Sequence, residues 1–100
     1  MKTTIAVAVI VTSLCAPTTP HAADPQLGRN LAATCANCHG TDGRSVGGID
    51  SLAGQPKDIL VRKMTEFRNG SRAATIMHQI AKGYTEQQID LIAAYFAARQ

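Results

Sequence analysis

Apolar residues recur three or four positions apart in three stretches of the chain, which is the spacing of amphipathic helices. The first stretch begins at Asp24, a residue type that caps helices well. The second runs from about Pro56 to Arg68 and ends at the Asn-Gly pair 69–70. The third opens at Thr85, which forms a capping-box pattern with Gln88, and continues to the end of the chain. The positions that share the three helix faces are Leu27, Leu31 and Thr34; Leu60, Met64 and Phe67; and Ile89, Ile92 and Phe96.

Two segments between these helices show no such periodicity. Residues 39–56 contain five glycines together with Asp and Ser, which predicts a loop whose backbone can approach other groups closely. Residues 71–84 are also predicted to be irregular. No stretch alternates as a strand does. The pattern therefore predicts an all-α domain with three main helices and Gly-rich loops, without internal repeats.

The N-terminal segment has the pattern of a secretory signal peptide. Lys2 is followed by an uncharged apolar run over residues 5–14, which is too short to span a bilayer as a permanent helix. Two prolines and several small residues come next. We expect cleavage after residue 22 or 23, so that residues 1–23, including Cys15, are removed in the periplasm. A single domain over residues 24–100 would remain.

Composition narrows the function of this remaining domain. The full chain has ten Lys and Arg against seven Asp and Glu, and loss of Lys2 leaves a net charge of +2. So small and scattered an excess does not predict a nucleic-acid surface. A domain of this size buries only about 60% of its unfolded surface. Domains of this size usually need a covalent staple or a cofactor, and with no Trp, two Tyr and two Phe the sequence predicts that something other than its aromatic side chains completes the core.

The stretch "CANCH", Cys35 to His39, allows three kinds of chemistry. A structural zinc site needs four ligands in a tetrahedron, and three of the available side chains crowd into these five residues. A thioredoxin-like dithiol accompanies a βαβ pattern that the sequence lacks, and a simple disulfide leaves His39 unexplained. Covalent attachment of haem explains both cysteines and the histidine of this stretch. Thiols at i and i+3 can add across two vinyl groups, and the next residue, His39, can bind the iron as proximal ligand.

The ligand on the other side of the iron decides between electron transfer and gas binding or peroxidase chemistry. Met64 lies among apolar positions of the second helix, where core packing explains it. His78 reads as a loop histidine that faces solvent. Met77 lies in the segment predicted to be irregular, well downstream of His39, and a thioether ligand raises the haem potential. The sequence favours Met77 as the distal ligand and, with it, electron transfer.

Four quoted stretches carry a family resemblance over the whole domain. The sequence "CANCHG", then "SLAGQ", a methionine and a last helix ending in "AAYFA" resemble the small class I bacterial cytochromes c, including cytochrome c4-like domains. The segment "ATIMHQIAKGYT" is similar to the cytochrome subunit of flavocytochrome c sulfide dehydrogenase around its axial methionine. The resemblance implies a cytochrome c domain over residues 24–100. Cys35 and Cys38 would bind haem c covalently, with His39 proximal and Met77 distal.

The resemblance also implies a close crossing of the first and last helices at Gly28 and the region of Tyr95. The sequence departs from the family in two respects. Its single haem motif predicts one haem where some members carry two. The family often has prolines in the loop after the motif, whereas this loop has Gly47, Gly48 and Asp50, so the carbonyl that orients His39 is not identified by sequence.

The implied function is electron transfer without catalysis by this chain itself. It would accept electrons from an FAD-containing flavoprotein partner that oxidises sulfide, as one subunit of a heterodimer. The alternative is a free-standing periplasmic cytochrome that diffuses between membrane complexes. A third interpretation, a ligand-binding sensor or peroxidase, is disfavoured by a bound Met77.

Overall fold

The computed structural model describes Asp24 and residues 26–100; the predicted signal peptide, residues 1–23, and Pro25 lie outside the described residues. The described part of the chain is helical and contains no strand, as the predicted all-α class requires. Two short 3-10 turns, Ala33–Cys35 and Thr41–Gly43, accompany the α-helices. The helices are α1 (Leu27–Ala32), α2 (Ala36–His39), α3 (Lys57–Asn69), α4 (Met77–Lys82) and α5 (Glu86–Ala97).

The first predicted helix begins later than expected. Asp24 is not the N-cap: its carboxylate accepts the backbone N–H of Gln26 at 2.8 Å, and Gln26 itself occupies the N-cap position without a side-chain capping bond. Regular helix starts only at Leu27, whose N–H donates to the Asp24 carbonyl. The path stays helical through Ala33–Cys35 and α2, so the "CANCH" stretch is a continuation of the first helix.

The second and third predicted helices are confirmed as α3 and α5. Helix α3 ends at Gly70, which adopts the left-handed conformation (φ 83°) expected of the Asn-Gly pair. Helix α5 begins with the predicted capping box. The Thr85 hydroxyl accepts the N–H of Gln88 at 3.1 Å, and the Gln88 amide oxygen accepts the N–H of Thr85 at 2.9 Å.

The prediction that residues 71–84 are irregular was wrong for part of that segment. Met77–Lys82 form the short helix α4, which packs against α3. Met77, Ile80 and Ala81 do follow the i, i+3, i+4 spacing of a helix face, but the segment has only six residues and just one of them, Ala81, is buried. So short a helix is marginal by itself, and packing against α3 explains it better than local preference does.

The crossing of α1 and α5 places the N-terminal part of the domain on its last helix. A Cβ atom at Gly28 would lie 3.0 Å from the Leu91 carbonyl oxygen and 3.8 Å from the Tyr95 Cβ. The helices therefore approach as closely as the family resemblance implied. The predicted core face of α5 is confirmed, since Ile89, Ile92 and Phe96 are all buried.

The apolar core of the described residues is small. Three of its seven buried residues are alanines, and α5 supplies most of the remaining volume. Large apolar side chains stay exposed nearby, including Ile76 and Ile80 around α4. None of the helices in the described part of the chain is long and apolar enough to cross a membrane. The buried apolar residues are Ala32, Leu60, Ala81, Ile89, Ile92, Ala93 and Phe96.

Candidate functional site

The two motif cysteines lie on consecutive helical turns. Cys35 ends the 3-10 turn and is half-buried against the core, whereas Cys38 lies in α2 and is exposed. Both are free thiols. Spacing of i and i+3 on a helical path brings the two side chains to neighbouring positions on one face.

Burial raises the pKa of the Cys35 thiol, and a hydrogen bond with the Thr34 hydroxyl offsets part of that effect. Cys35 thus differs from Cys38, whose side chain is exposed.

His39 is oriented by a backbone carbonyl. Its Nδ1 lies 2.6 Å from the carbonyl oxygen of Asp50. A carbonyl oxygen only accepts, so Nδ1 carries the hydrogen and Nε2 is left with a lone pair. Metal-binding histidines typically have this arrangement, because the second-shell acceptor fixes the tautomer and the ring orientation. The carbonyl that orients His39, which the sequence did not identify, is thus the backbone carbonyl of Asp50.

The loop after His39 is folded so that Asp50 reaches the imidazole. The Gly43 carbonyl accepts the N–H groups of Leu52 and Ala53, at 2.8 and 3.1 Å. Farther along, the N–H of Gly54 donates to the Phe96 carbonyl in α5 at 3.0 Å. These bonds close the loop on itself and join it to the last helix.

A cavity of about 610 Å³ lies beside this loop and contains Cys38. The apolar side chains Val46 and Ile49 line it and are largely exposed. Cys35, His39 and Met77 are not among its lining residues. The cavity therefore borders the motif on one side but does not by itself unite the predicted site residues.

The three candidates for the distal ligand occupy different places. Met64 is half-buried in the middle of α3, and Met77 is the half-buried first residue of α4. His78 is not the solvent-facing loop histidine that the sequence predicted. It lies in α4 and lines a second cavity, of about 340 Å³, together with residues 67–70, residues 72–74 and Lys82; its Nδ1 is buried without a hydrogen-bond partner. This cavity contains none of the motif residues.

Two tyrosine contacts flank the motif and were missed by sequence analysis. The Tyr84 hydroxyl lies 2.9 Å from the Thr34 hydroxyl, immediately before Cys35. The Tyr95 hydroxyl donates to the Asp42 carboxylate at 2.5 Å, three residues after the histidine. The partners are 50 and 53 residues apart, so no local sequence signal could have indicated either bond.

The available donors fit a covalently bound haem. Two neighbouring free thiols can form thioether bonds, an imidazole with a free Nε2 can bind iron, and the small core leaves apolar side chains to contact a porphyrin. With the helical fold, these features define a c-type cytochrome of class I. The chain belongs to the cytochrome c family, whose family model matches residues 25–99. That family binds haem c covalently through the Cys-x-x-Cys-His spacing of Cys35, Cys38 and His39.

The similar proteins include both a cytochrome subunit of an enzyme and cytochromes c4. The chain is 46% identical over 69 residues to the cytochrome subunit of sulfide dehydrogenase from Chlorobaculum tepidum, covering 69% of this chain and 63% of that protein. It is 37% identical over 82 residues to cytochrome c4 of Pseudomonas aeruginosa, covering 80% and 41%. A solved cytochrome c4 structure from Acidithiobacillus ferrooxidans matches with a TM-score of 0.62 and 42% identity, covering 64% and 37%. The chain thus spans less than two thirds of the length of these relatives.

Proposed function

We propose that this electron-transfer cytochrome binds one haem c through thioether bonds to Cys35 and Cys38, with His39 as the proximal and Met77 as the distal iron ligand. The observation that supports it best is the hydrogen bond from His39 Nδ1 to the Asp50 carbonyl, which leaves Nε2 free beside two free thiols. The single motif in the 100 residues supports a count of one haem.

When bound, haem supplies a one-electron couple between Fe(III) and Fe(II). The residues of the chain hold and tune it. The Asp50 carbonyl fixes the tautomer and the ring plane of the His39 imidazole. The Met77 thioether, a soft ligand, favours Fe(II) and raises the potential relative to a second imidazole.

The first experiment tests covalent attachment. Acid-acetone extraction followed by denaturing electrophoresis should leave haem on the polypeptide, because thioether bonds survive both treatments. A matched variant, Cys38→Ala, should retain one thioether bond and shift the absorption of the reduced pyridine complex. Haem that extracts completely from the unmodified protein would refute the proposal.

We further propose that the chain is exported to the periplasm and is the cytochrome subunit of a sulfide-oxidising flavoprotein complex. The support is the 46% identity to the Chlorobaculum tepidum subunit and the resemblance of "ATIMHQIAKGYT" around Met77. Sulfide donates electrons in pairs, whereas one haem iron accepts one. A flavin in the partner, expected to be FAD, would divide the pair.

The contact with that partner is proposed to include residues 76–82. Ile76 and Ile80 flank Met77 and are 54% and 38% exposed, whereas Lys82 adds a charge at the edge of this surface. Long-lived complexes bury apolar side chains at the centre of the interface and keep charges at its rim. Association of this kind should persist at high salt, where a small polar contact weakens.

The alternative is a diffusible shuttle, which is supported by the similarity to cytochromes c4. Purification from the native periplasm at high salt separates the two. A flavoprotein should remain bound, and sulfide should reduce the haem only in its presence. Ile80→Glu should weaken the complex without changing the haem spectrum, whereas Ala94→Glu, at an exposed site on α5, should leave the complex intact. A cytochrome that elutes alone even at low salt would favour the shuttle.

A further inference from the structure

The segment that carries the proposed haem-binding residues has no buried side chain of its own. No residue of Ala33–Cys35 or of Ala36–His39 is buried. Ala32 just before the segment and Gly43 beyond it are both buried. Within the segment only Cys35 packs, half-buried, against the core, so core packing fixes the first turn more firmly than the rest and other contacts must help to determine its position.

Tyr84 supplies such a contact at the beginning of the segment. Its hydroxyl is hydrogen-bonded to the Thr34 hydroxyl at 2.9 Å, next to Cys35. Its ring is half-buried against the core, and its N–H donates to the Ala81 carbonyl in α4 at 3.3 Å. The first cysteine is thereby connected to the helix that begins with Met77.

Tyr95 supplies the contact at the end of the segment. Its hydroxyl donates to the carboxylate of Asp42, which is in the left-handed conformation (φ 54°). The Phe96 ring packs edge-to-face against Tyr95 with centroids 5.3 Å apart, and the Arg99 guanidinium lies 4.4 Å from the Tyr95 centroid. Its neighbours Phe96 and Arg99 thus hold the Tyr95 ring in place. The hydroxyl stabilises a turn whose left-handed backbone costs a non-glycine residue free energy.

We propose that Tyr84 and Tyr95 are positioning residues that fix the two ends of the haem-binding segment and thereby set the orientation of His39 toward the iron. The inference rests on the proposed function for the identity of the haem ligands. These are the two tyrosines of the chain, and each connects one end of the motif to the C-terminal part of the domain. Because Asp42 lies between His39 and the loop that supplies its carbonyl acceptor, displacement of Asp42 also changes the proximal hydrogen bond.

Tyr84→Phe and Tyr95→Phe test this in the haem-loaded protein, since each removes one hydroxyl and keeps the ring. The reduction potential and the hyperfine-shifted haem methyl resonances of the ferric protein follow the orientation of the axial ligands. We expect both to change in both variants. Amide exchange over residues 36–42 should accelerate on the order of tenfold, the upper range for loss of one hydrogen bond. The matched control is Thr65→Val, which removes a hydroxyl bonded to the Val61 carbonyl within α3.

Unchanged potentials and methyl shifts in both tyrosine variants would overturn the inference, even if their unfolding free energy fell. The effects of Thr34→Val and Tyr84→Phe should be less than additive, and fully additive effects would contradict the proposed bond. In the unmodified protein the hydroxyl proton of Tyr95, whose bond to Asp42 is part-buried, should exchange slowly; rapid exchange would overturn that contact without any variant. Absence of covalent haem from the unmodified protein would instead refute the proposed function.

Discussion

Replacing Gly43 with alanine tests how the loop after His39 is held on the last helix. Gly43 is buried and has φ 78°. A Cβ atom there would lie 2.7 Å from Cδ1 of Phe96 and 2.9 Å from the backbone nitrogen of Ala53. The second neighbour is backbone and donates to the Gly43 carbonyl, so the added methyl group would push the loop that carries Asp50 away from α5.

Two costs contribute to the expected loss of stability. An L-residue in the left-handed region costs about 1–2 kcal/mol. Forcing a methyl group into a packed site costs about 1–3 kcal/mol more. We therefore expect Gly43→Ala to lower the free energy of unfolding by about 2–5 kcal/mol, which is a large part of the roughly 5–15 kcal/mol of a typical domain.

Alanine substitutions at three other glycines distinguish the backbone cost from the packing cost. Gly70 has φ 83° with nothing within 4 Å of an added Cβ, so Gly70→Ala should show only the backbone cost of about 1–2 kcal/mol. Gly28→Ala meets the Leu91 carbonyl at 3.0 Å, and the gain of about 1 kcal/mol in helix propensity opposes that contact. Gly47 has neither constraint, and Gly47→Ala should be neutral or slightly stabilising, by about 0.4–1 kcal/mol.

Equilibrium unfolding of the haem-loaded proteins in guanidinium chloride, followed by far-ultraviolet circular dichroism, measures these differences. The midpoint should fall in the order Gly47→Ala, Gly70→Ala, Gly43→Ala. The Gly43 variant should also change the reduction potential, because the His39–Asp50 hydrogen bond is displaced. If Gly43→Ala lost no more stability than Gly70→Ala, contact with Phe96 would not be what holds the loop.

Met77→Ala should abolish the weak long-wavelength band of Met-ligated ferric haem and lower the potential, whereas the nearly volume-conserving Met64→Leu should preserve both; a band that survives Met77→Ala would exclude Met77 as ligand. The hydrogen bond to Asp42 is the main cause that raises the pKa of Tyr95 above its ordinary 10.0. The stability that this bond contributes should be complete below about pH 10 and disappear as the pH rises through the higher native pKa, as unfolding at several pH values would show. Asp42→Asn should lower that pKa in an NMR titration, and an unchanged pKa would contradict the assigned cause. Thr85→Ala should cost about 1 kcal/mol in denaturant unfolding and Thr85→Ser much less; equal losses would count against the capping box.

The long helices could be predicted because periodicity and end signals agree in them. Helix α3 has its apolar face and a terminal glycine, and α5 has a capping box whose two hydrogen bonds form as expected. Helix α4 has no N-terminal signal, because its N-cap, Ile76, has no capping side chain, and its apolar positions Met77, Ile80 and Ala81 span barely one turn. So short a helix depends on packing against α3, which its own sequence does not reveal.

In the candidate site, too, local spacing could be predicted from the sequence, whereas contacts with distant parts of the chain could not. Cys35, Cys38 and His39 are recognised because their chemistry depends on spacing within five residues. The environment of His78 could not be predicted from the sequence, because the cavity that His78 lines is formed by α3 and the segment after it. The Asp50 acceptor is a backbone atom, and every residue except at the chain end has such a carbonyl. Side-chain identity therefore carries no information about which one the imidazole contacts.

The glycine-rich loop that orients His39 is attached to the last helix, α5. Where the family often has prolines, whose fixed φ limits the unfolded chain, glycines leave more conformational freedom to be lost on folding. Hydrogen bonds compensate: the Gly43 carbonyl accepts two N–H groups of the loop, and Gly54 donates to the Phe96 carbonyl. The Phe96 ring also contacts Gly43. Because the Asp50 carbonyl lies between these two attachments, a change in how α5 packs is transmitted to the proximal imidazole. Substitutions on the buried face of α5 should accordingly change the reduction potential as well as stability, although none of those residues is a proposed haem ligand.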